Sequence, residues 1–299
     1  MAVQRQIYLN GSYVPEAQAL LPVFDRGFLF ADGIYEVCAV IDRRLVDVDL
    51  HMKRLVRSVG EIGIALPVAS AEVVEIMKEL VRRNRLVEGV VYMQVTRGSA
   101  ERDFHYADDL KPNFVAFTQD RKIVTPKLST GISVDLQPDI RWQRRDIKSV
   151  MLLAQVLAKH EASKKGFNDV WMVEDGFITE GASSSAFIVT KDGRIVSRAN
   201  SQAILPGCTR LAVLRLAEET GLLLDERPFT VEQAQDASEA FLTSASSTVT
   251  PVVRIGECVI GDGKPGPLTR RLQAIYLDQA MKGEPLFALD DAVSLGASA

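Results

Sequence analysis

Lys148 lies in the run Asp146-Ile147-Lys148-Ser149-Val150-Met151-Leu152-Leu153, and about 30 residues later the chain reads Thr179-Glu180-Gly181-Ala182-Ser183-Ser184-Ser185-Ala186-Phe187. A lysine amine leading into an apolar helix is poorly solvated unless something occupies it. A carboxylate leading a Gly/Ser run can bind a cationic ring nitrogen beside a phosphate. Together the two segments suggest an aldehyde cofactor joined to Lys148 as a Schiff base, with Glu180 keeping a pyridine nitrogen protonated so that the ring accepts the electrons of a substrate carbanion. That is pyridoxal 5′-phosphate chemistry. Each residue also has a plainer reading: Lys148 as a solvated lysine at a helix start, which holds for most lysines, and Glu180 as the end of a strand before a turn.

Other segments fit a phosphate or a carboxylate. Leu205-Pro206-Gly207-Cys208-Thr209-Arg210 is a tight turn feeding a helix. The first amides of a helix lack internal partners and bind phosphate readily, and Thr209 adds a hydroxyl; an ordinary Thr cap is the commoner use of such a residue. Ser244-Ala245-Ser246-Ser247, after the strand-like Phe241-Leu242-Thr243, offers a second cluster of amides and hydroxyls, or simply a loop. Arg54 sits at the boundary of a helix face set by Leu55, from which it can face solvent or reach inward to a phosphate bidentately. Tyr35 reads by default as a core aromatic, and Arg102 as a solvated charge in a polar loop. Gly261-Asp262-Gly263-Lys264-Pro265-Gly266 lacks the spacing and the preceding buried strand of a phosphate loop and reads as a hairpin turn.

Bulk properties narrow the setting. The chain has 299 residues, 47% hydrophobic and 25% charged, enough for one substantial core or two smaller ones. A net charge of −4 without a basic run argues against nucleic acid or an anionic membrane as partner. Cys38, Cys208 and Cys258 are scattered, and His51, His105 and His160 lie far apart, so neither a disulfide framework nor a metal spacing is visible. No apolar signal core or membrane span is seen, and the expectation is a soluble cytoplasmic protein.

The elements that must hold these residues follow from periodicity. Asn10-Gly11 between alternating runs predicts a hairpin, and 34–40, 90–96 and 113–118 read as strands. One helix carries Leu55, Val59 and Ile62 on a face, and another runs from a Ser70 cap through Val73, Ile76, Met77, Leu80 and Val81. The second half has strands near 131–136, a helix from the Lys148 segment to Gly166, and hairpins at Asp175-Gly176 and Asp192-Gly193. A helix from Leu205–Arg210 to Gly221, a strand at 240–244 and a last helix at 269–281 follow. Hairpins and helices alternate without a regular βαβ repeat, so the fold class is α+β. Two domains are expected, 1–118 and 125–282, joined by a polar linker at 119–124, with a fraying tail at 283–299.

None of these signals is specific alone, but their order and spacing are. Asp25-Arg26-Gly27 with Asp32-Gly33-Ile34-Tyr35-Glu36-Val37, then His51-Met52-Lys53-Arg54-Leu55, Asp146-Ile147-Lys148-Ser149, Thr179–Ser184, Leu205–Arg210 and Leu242-Thr243-Ser244-Ala245 resemble the class IV pyridoxal-phosphate aminotransferases, and within them the bacterial D-amino acid (D-alanine) transaminases. The resemblance runs from about Ile7 to Met281. It implies a two-domain fold type IV enzyme, a homodimer whose partner chain helps to close the site, and pyridoxal 5′-phosphate in the cleft between domains. It implies Lys148 as Schiff-base lysine and proton shuttle, and Glu180 on the pyridine nitrogen. Arg54 with the Cys208 and Thr209 amides and the Thr209 hydroxyl would hold the phosphate, and Leu205 would pack on the ring. Ser244 belongs to the same cup, and Ala245 stands where the D-amino acid enzymes place a threonine, so only its backbone amide can help. Tyr35 and Arg102 match two members of a carboxylate trap. For the third, Phe104 falls at the expected spacing and His105 one residue beyond, so either the loop shifts to deliver His105 or the trap is incomplete. The implied reaction is transamination between D-amino acids of the D-alanine and D-glutamate type and 2-oxo acids. Branched-chain L-amino acid and (R)-amine transaminases and aminodeoxychorismate lyases are rivals on the same fold.

Overall fold

A computed structural model describes residues 4–289. Two sheets dominate it. The first has six strands in the order Ser12–Pro15, Gln6–Leu9, Asn113–Asp120, Gly89–Thr96, Gly33–Ile41 and Arg44–Leu45, all antiparallel to their neighbours. Its hairpins turn at Asn10-Gly11 and Asp42-Arg43, where all four residues take positive φ. That is the geometry that matches the twist of paired strands. Helices Val48–Glu61 and Ser70–Arg83 cover one face with Met52, Leu55, Val59, Val73, Ile76, Met77, Leu80 and Val81. The apolar period written in the sequence is thus the buried stripe.

Strand Gly33–Ile41 is buried on both faces and divides its residues by parity. Ile34, Cys38 and Val40 enter the core beneath the two helices. Tyr35 and Val37 face a cavity, and Ala39 and Ile41 join a second core. The two-residue period of a strand makes this possible.

The second sheet has ten strands. Its path runs Leu224–Glu226, Ile195–Ser197, Ser185–Val189, Glu239–Ser244, Thr248–Ile255, Ile132–Pro138, Asp169–Glu174, Phe177–Gly181 and Phe229–Thr230, with Cys258–Val259 paired beside Thr248–Ile255. Ile132–Pro138 is parallel to both of its neighbours, and most other pairs are antiparallel. Helices Cys208–Glu219 and Pro267–Ala280 bury Ala212, Val213, Leu272 and Tyr276 against Phe187 and Phe241. The same cluster holds Ala39, Ile41 and Val90 of the first sheet, so the two sheets share a core. Among the described residues no helix is long and apolar enough to cross a membrane.

Several local expectations change. Lys148 does not open a helix: its carbonyl accepts from the Tyr35 amide at 2.9 Å, Ser149 bridges to Ile34, and the helix Leu153–Lys164 begins five residues later. The apolar residues of that helix point outward, with Leu153 70% and Val156 60% exposed, while small Ala158 and Ala162 pack inward. Gln119 and Asp120, expected in the linker, belong to a strand. The hairpin placed at Gly261-Asp262-Gly263 turns instead at Gly256-Glu257, where Ile255 pairs with Cys258; the later glycines lead into the last helix. The segment after Gly283 does not fray where it is described, since Leu286 and Phe287 pack on the first core and Arg43 donates to the Phe287 carbonyl at 3.0 Å. The remainder of the expected tail, residues 290–299, lies outside the described residues.

Candidate active site

A cavity of about 550 Å³ opens between the two sheets. Of the residues picked out in the sequence, Tyr35, Arg54, Lys148, Glu180, Leu205, Cys208, Thr209, Ser244 and Ala245 all line it. Lys148 reaches it from the extended segment paired with strand Gly33–Ile41, and its Nζ sits 4.2 Å from the centre of the Tyr35 ring.

Glu180 ends strand Phe177–Gly181 and is almost fully buried. Its Oε1 accepts from Arg141 Nη1 at 2.6 Å, and the Leu205 amide donates to both carboxylate oxygens at 3.2 Å. Arg141 is in turn clasped by Asp139 through Nε at 2.9 Å and Nη2 at 2.7 Å, and Thr179 donates its hydroxyl to Asp139 at 2.6 Å. Burial pushes the Glu180 carboxyl up, against the pull of Arg141 and the Leu205 amide. A cationic ring nitrogen placed beside it would relieve that penalty.

The other end of the cavity is built on helix Val48–Glu61. Arg54 donates to Glu36 through Nε at 2.7 Å and Nη2 at 2.9 Å, and through Nη1 to the Pro206 carbonyl at 3.0 Å. His51 Nδ1 contacts the second Glu36 oxygen at 2.7 Å. Burial favours neutral groups here, yet Arg54 and His51 hold the Glu36 carboxyl far below the usual carboxylate range. Burial likewise opposes the charge on His51, but the Cys208 sulfur and Glu36 raise it to about 9. The expected bidentate grip of Arg54 on a phosphate is therefore not what this structure displays, because the guanidinium fork is already on Glu36. Glu36, His51 and Cys208 also place three potential metal-ligand atoms within 4.8 Å. Both Glu36 oxygens are taken by Arg54 and His51, so the group reads as an ion-pair network.

The space between these ends suits pyridoxal 5′-phosphate. The Ser184 and Thr243 hydroxyls belong to residues that line the cavity, are buried and have no partner among the described residues, and such orphaned groups call for an explanation, which a bound group would supply. The turn before helix Cys208–Glu219 is tight, since a Cβ on Gly207 would lie 2.7 Å from Ser185 Oγ and would have to turn that hydroxyl aside. Its helix starts with the amides of Cys208 and Thr209, where unpaired N–H groups favour an anion.

Two expected substrate residues are elsewhere. Arg102 and His105 lie in an exposed loop outside the cavity lining; Arg102 packs near Phe30 and Phe104, at 5.3 Å and 5.9 Å from the ring centres. The loop is anchored by Arg26, which donates to the Asp103 carbonyl at 2.7 Å, and by Tyr106, whose ring lies 3.9 Å from the Arg97 guanidinium carbon. Phe104 is 77% exposed. A single chain thus unites Tyr35 with Lys148 but not with Arg102 or His105.

Sequence reasoning left Glu36, His51 and Arg141 without roles. Glu36 stood inside a quoted motif, and its spacing from His51 and Arg54, on a strand and on the next helix, was the available signal. Arg141 gave none, since its pairing with Glu180 joins segments 39 residues apart.

A family model described as Amino-transferase class IV matches residues 33–255. The chain belongs to the class IV aminotransferases. It is 38% identical over 269 residues to a D-alanine aminotransferase of Staphylococcus aureus (strain MSSA476), covering 90% of this chain and 95% of that one. It is 37% identical over 268 residues to a D-alanine aminotransferase of Bacillus licheniformis, covering 90% and 94%. Among solved structures, the branched-chain amino acid aminotransferase of Escherichia coli superposes with a TM-score of 0.86 at 22% identity, over 92% of this chain and 94% of that one. The T.th. branched-chain amino acid aminotransferase, complexed with N-(5′-phosphopyridoxyl)-L-glutamate, gives 0.84 at 24% identity, over 93% and 94%. The chain is an aminotransferase-family enzyme with the fold of these proteins.

Proposed function

We propose that this class IV aminotransferase uses pyridoxal 5′-phosphate to move amino groups between D-amino acids of the D-alanine and D-glutamate type and 2-oxo acids, as a cytoplasmic homodimer. One observation carries the reading: Lys148 and Glu180, far apart in sequence, line one cavity together with orphaned hydroxyls, in a chain this similar to D-alanine aminotransferases. When bound, the cofactor supplies an aldehyde to capture the amine and a ring to delocalise the electrons released at the substrate Cα.

The chain's own residues do the rest. Lys148 would hold the cofactor through its Nζ, and that amine, once free, would take the proton from the substrate Cα. Glu180, pinned by Arg141 and the Leu205 amide, holds the proton on the ring nitrogen. The Cys208 and Thr209 amides and the Thr209, Ser184 and Thr243 hydroxyls bind the phosphate, with Ser244 and the Ala245 amide beside them. Arg54 contributes charge while Glu36 and His51 fix its position. Leu205, which lines the cavity, would pack against the ring.

Tyr35 takes the substrate carboxylate from within the chain. Arg102 and His105 are assigned to the site of a second copy, because their loop projects outward and the exposed Leu153 and Val156 offer an apolar face to bury against a partner. The free state of Cys38, Cys208 and Cys258 suits a reducing compartment.

Borohydride reduction of the cofactor-loaded protein followed by peptide mapping should place the label on Lys148. Assays with D-alanine plus 2-oxoglutarate should exceed those with L-alanine, L-leucine or (R)-1-phenylethylamine. A label on another lysine would remove the mechanism, and a preference for an L-amino acid or the amine would remove the substrate class.

A further inference from the structure

Lys148 belongs to neither a helix nor a strand of the two sheets, so its place depends on a few contacts. Its carbonyl accepts from the Tyr35 amide at 2.9 Å, and the Val150 amide donates to the Gly33 carbonyl at 3.1 Å, which fixes the segment along strand Gly33–Ile41. The Lys148 amide itself donates to Ser58 Oγ at 3.4 Å, a long and weak hydrogen bond. Ser58 lies on helix Val48–Glu61, one turn, about 6 Å, beyond Arg54. The helix that carries Arg54 therefore also meets the backbone that carries the amine.

A stronger hold lies two residues upstream. Arg57, beside Ser58 on the same helix, donates through Nη1 to the Asp146 carbonyl at 2.8 Å and through Nη2 to the Asp146 carboxylate. Arg144 grips that carboxylate through Nε at 3.0 Å and Nη2 at 3.1 Å, and also reaches Glu61 at the end of the helix. Asp146 is 4% exposed, and Ile147, between it and Lys148, is buried in the first core. The two guanidiniums differ from it, since the Arg57 and Arg144 side chains are 39% and 33% exposed. Water can take over their charge if the carboxylate is removed, so that loss should show less in stability than in where the segment lies. Charge-assisted hydrogen bonds from a helix to one buried side chain are a means of placing a backbone.

We propose that Asp146 is a positioning residue for Lys148: held by Arg57 and Arg144, it keeps the Lys148 segment at a fixed place on helix Val48–Glu61, and with it the separation between the amine and Arg54. Asp146 is not among the residues that line the cavity, and it acts through Lys148. The inference rests on the transaminase reading above, which needs the amine within reach of the substrate Cα. Misplacing a reacting group by about 1 Å can cost on the order of 100-fold in rate. A loosened segment should therefore register in proton transfer before it registers in binding.

The test compares wild type, Asp146→Ala, Arg57→Ala and the double variant, each loaded with pyridoxal 5′-phosphate. The kcat with D-alanine plus 2-oxoglutarate should fall on the order of 10- to 100-fold in Asp146→Ala, with KM changed by less than about threefold. With α-deuterated D-alanine the isotope effect on kcat should be at least as large as in wild type, because proton transfer is the step that slows. Arg57→Ala should behave alike, and the double variant should lose little more than either single one. A second arm needs no turnover. Borohydride trapping with mass spectrometry should show attachment of added cofactor to Lys148 slowed about tenfold in Asp146→Ala, while equilibrium dialysis finds as much cofactor bound. Asp146→Asn, which keeps the size of the side chain, should show the same pattern with a smaller loss, and it decides the matter should Asp146→Ala not fold. Unchanged kcat and trapping, a smaller isotope effect, a loss of turnover matched by a loss of bound cofactor, or additive losses in the double variant would overturn the role. If trapping depends on Asp146 while wild type turns over neither D-alanine nor D-glutamate, the D-amino acid reading fails and the positioning role stands.

Discussion

The Glu36–His51–Arg54 end of the cavity and the loop that carries Arg102 differ in how completely one chain buries and pairs them. At the Glu36–His51–Arg54 end every charged group is buried and paired within the protein. Arg102, Phe104 and His105 lie instead on an exposed loop outside the cavity lining, while Tyr35 sits within the cavity under the Lys148 amine. A folded monomer therefore already contains the groups assigned to the cofactor. Arg102 and His105, proposed for the substrate carboxylate, are not brought to the cavity within one chain.

The largest test of that contrast removes the amine. Lys148→Ala should lower turnover on the order of ten-thousand-fold while leaving a cavity that still binds pyridoxal 5′-phosphate without covalent attachment. Single-turnover kinetics and equilibrium dialysis check both halves, and retained turnover would refute the role.

Breaking the paired end should cost stability. Glu36→Gln leaves Arg54 and His51 without their shared counter-charge, for a loss of about 3–5 kcal/mol in denaturant unfolding. A variant as stable as wild type would show that the pairs are replaceable.

The same end should report pH. His51 is raised from 6.5 to about 9, so its stabilising contribution is complete below pH 6.5 and is lost as pH rises through 9. Melting temperatures of wild type should fall across that window, by the equivalent of about 3 kcal/mol, and His51→Asn should flatten the difference.

On the loop, Arg102→Ala should leave stability within about 0.5 kcal/mol of wild type, while KM for amino and oxo acids rises on the order of 10-fold. Mixing Lys148→Ala with Arg102→Ala chains sharpens the point. If the loop serves the partner's site, each mixed dimer regains one site with both residues intact, and wild-type KM returns. If it serves its own chain, mixing restores nothing.

Much of this was legible beforehand because the informative residues sit in local, periodic patterns. The stripes through Leu55 and Val59 and through Val73–Val81, and the glycine turns at Asn10-Gly11 and Asp175-Gly176, are set by neighbours in sequence, whereas Tyr35, read as a core aromatic, faces the cavity. What escaped depends on pairing at a distance. Lys148 looked like a helix start because the apolar run from Val150 to Leu153 reads as a buried face; in the folded chain Leu153 and Val156 point outward. The Arg141–Asp139–Thr179 clasp on Glu180 and the Glu36 hold on Arg54 join residues that no local period connects. Arg102 matched its motif by local spacing, with His105 one residue beyond the expected place, but where their loop comes to lie relative to the cavity is set by contacts that spacing does not encode.

Tyr35 and Glu36 are adjacent in sequence yet look in opposite directions, one toward the reacting amine and one toward the arginine on the next helix. Inserting one residue early in that strand would bring the phenol to the Arg54 position and Ile34 to the Lys148 position, and deleting one would bring the carboxylate to Lys148 and Val37 to Arg54. A one-residue change of length at this position should therefore disrupt both the cavity wall and the pairing of Arg54, which makes this strand an unforgiving place to shorten or graft.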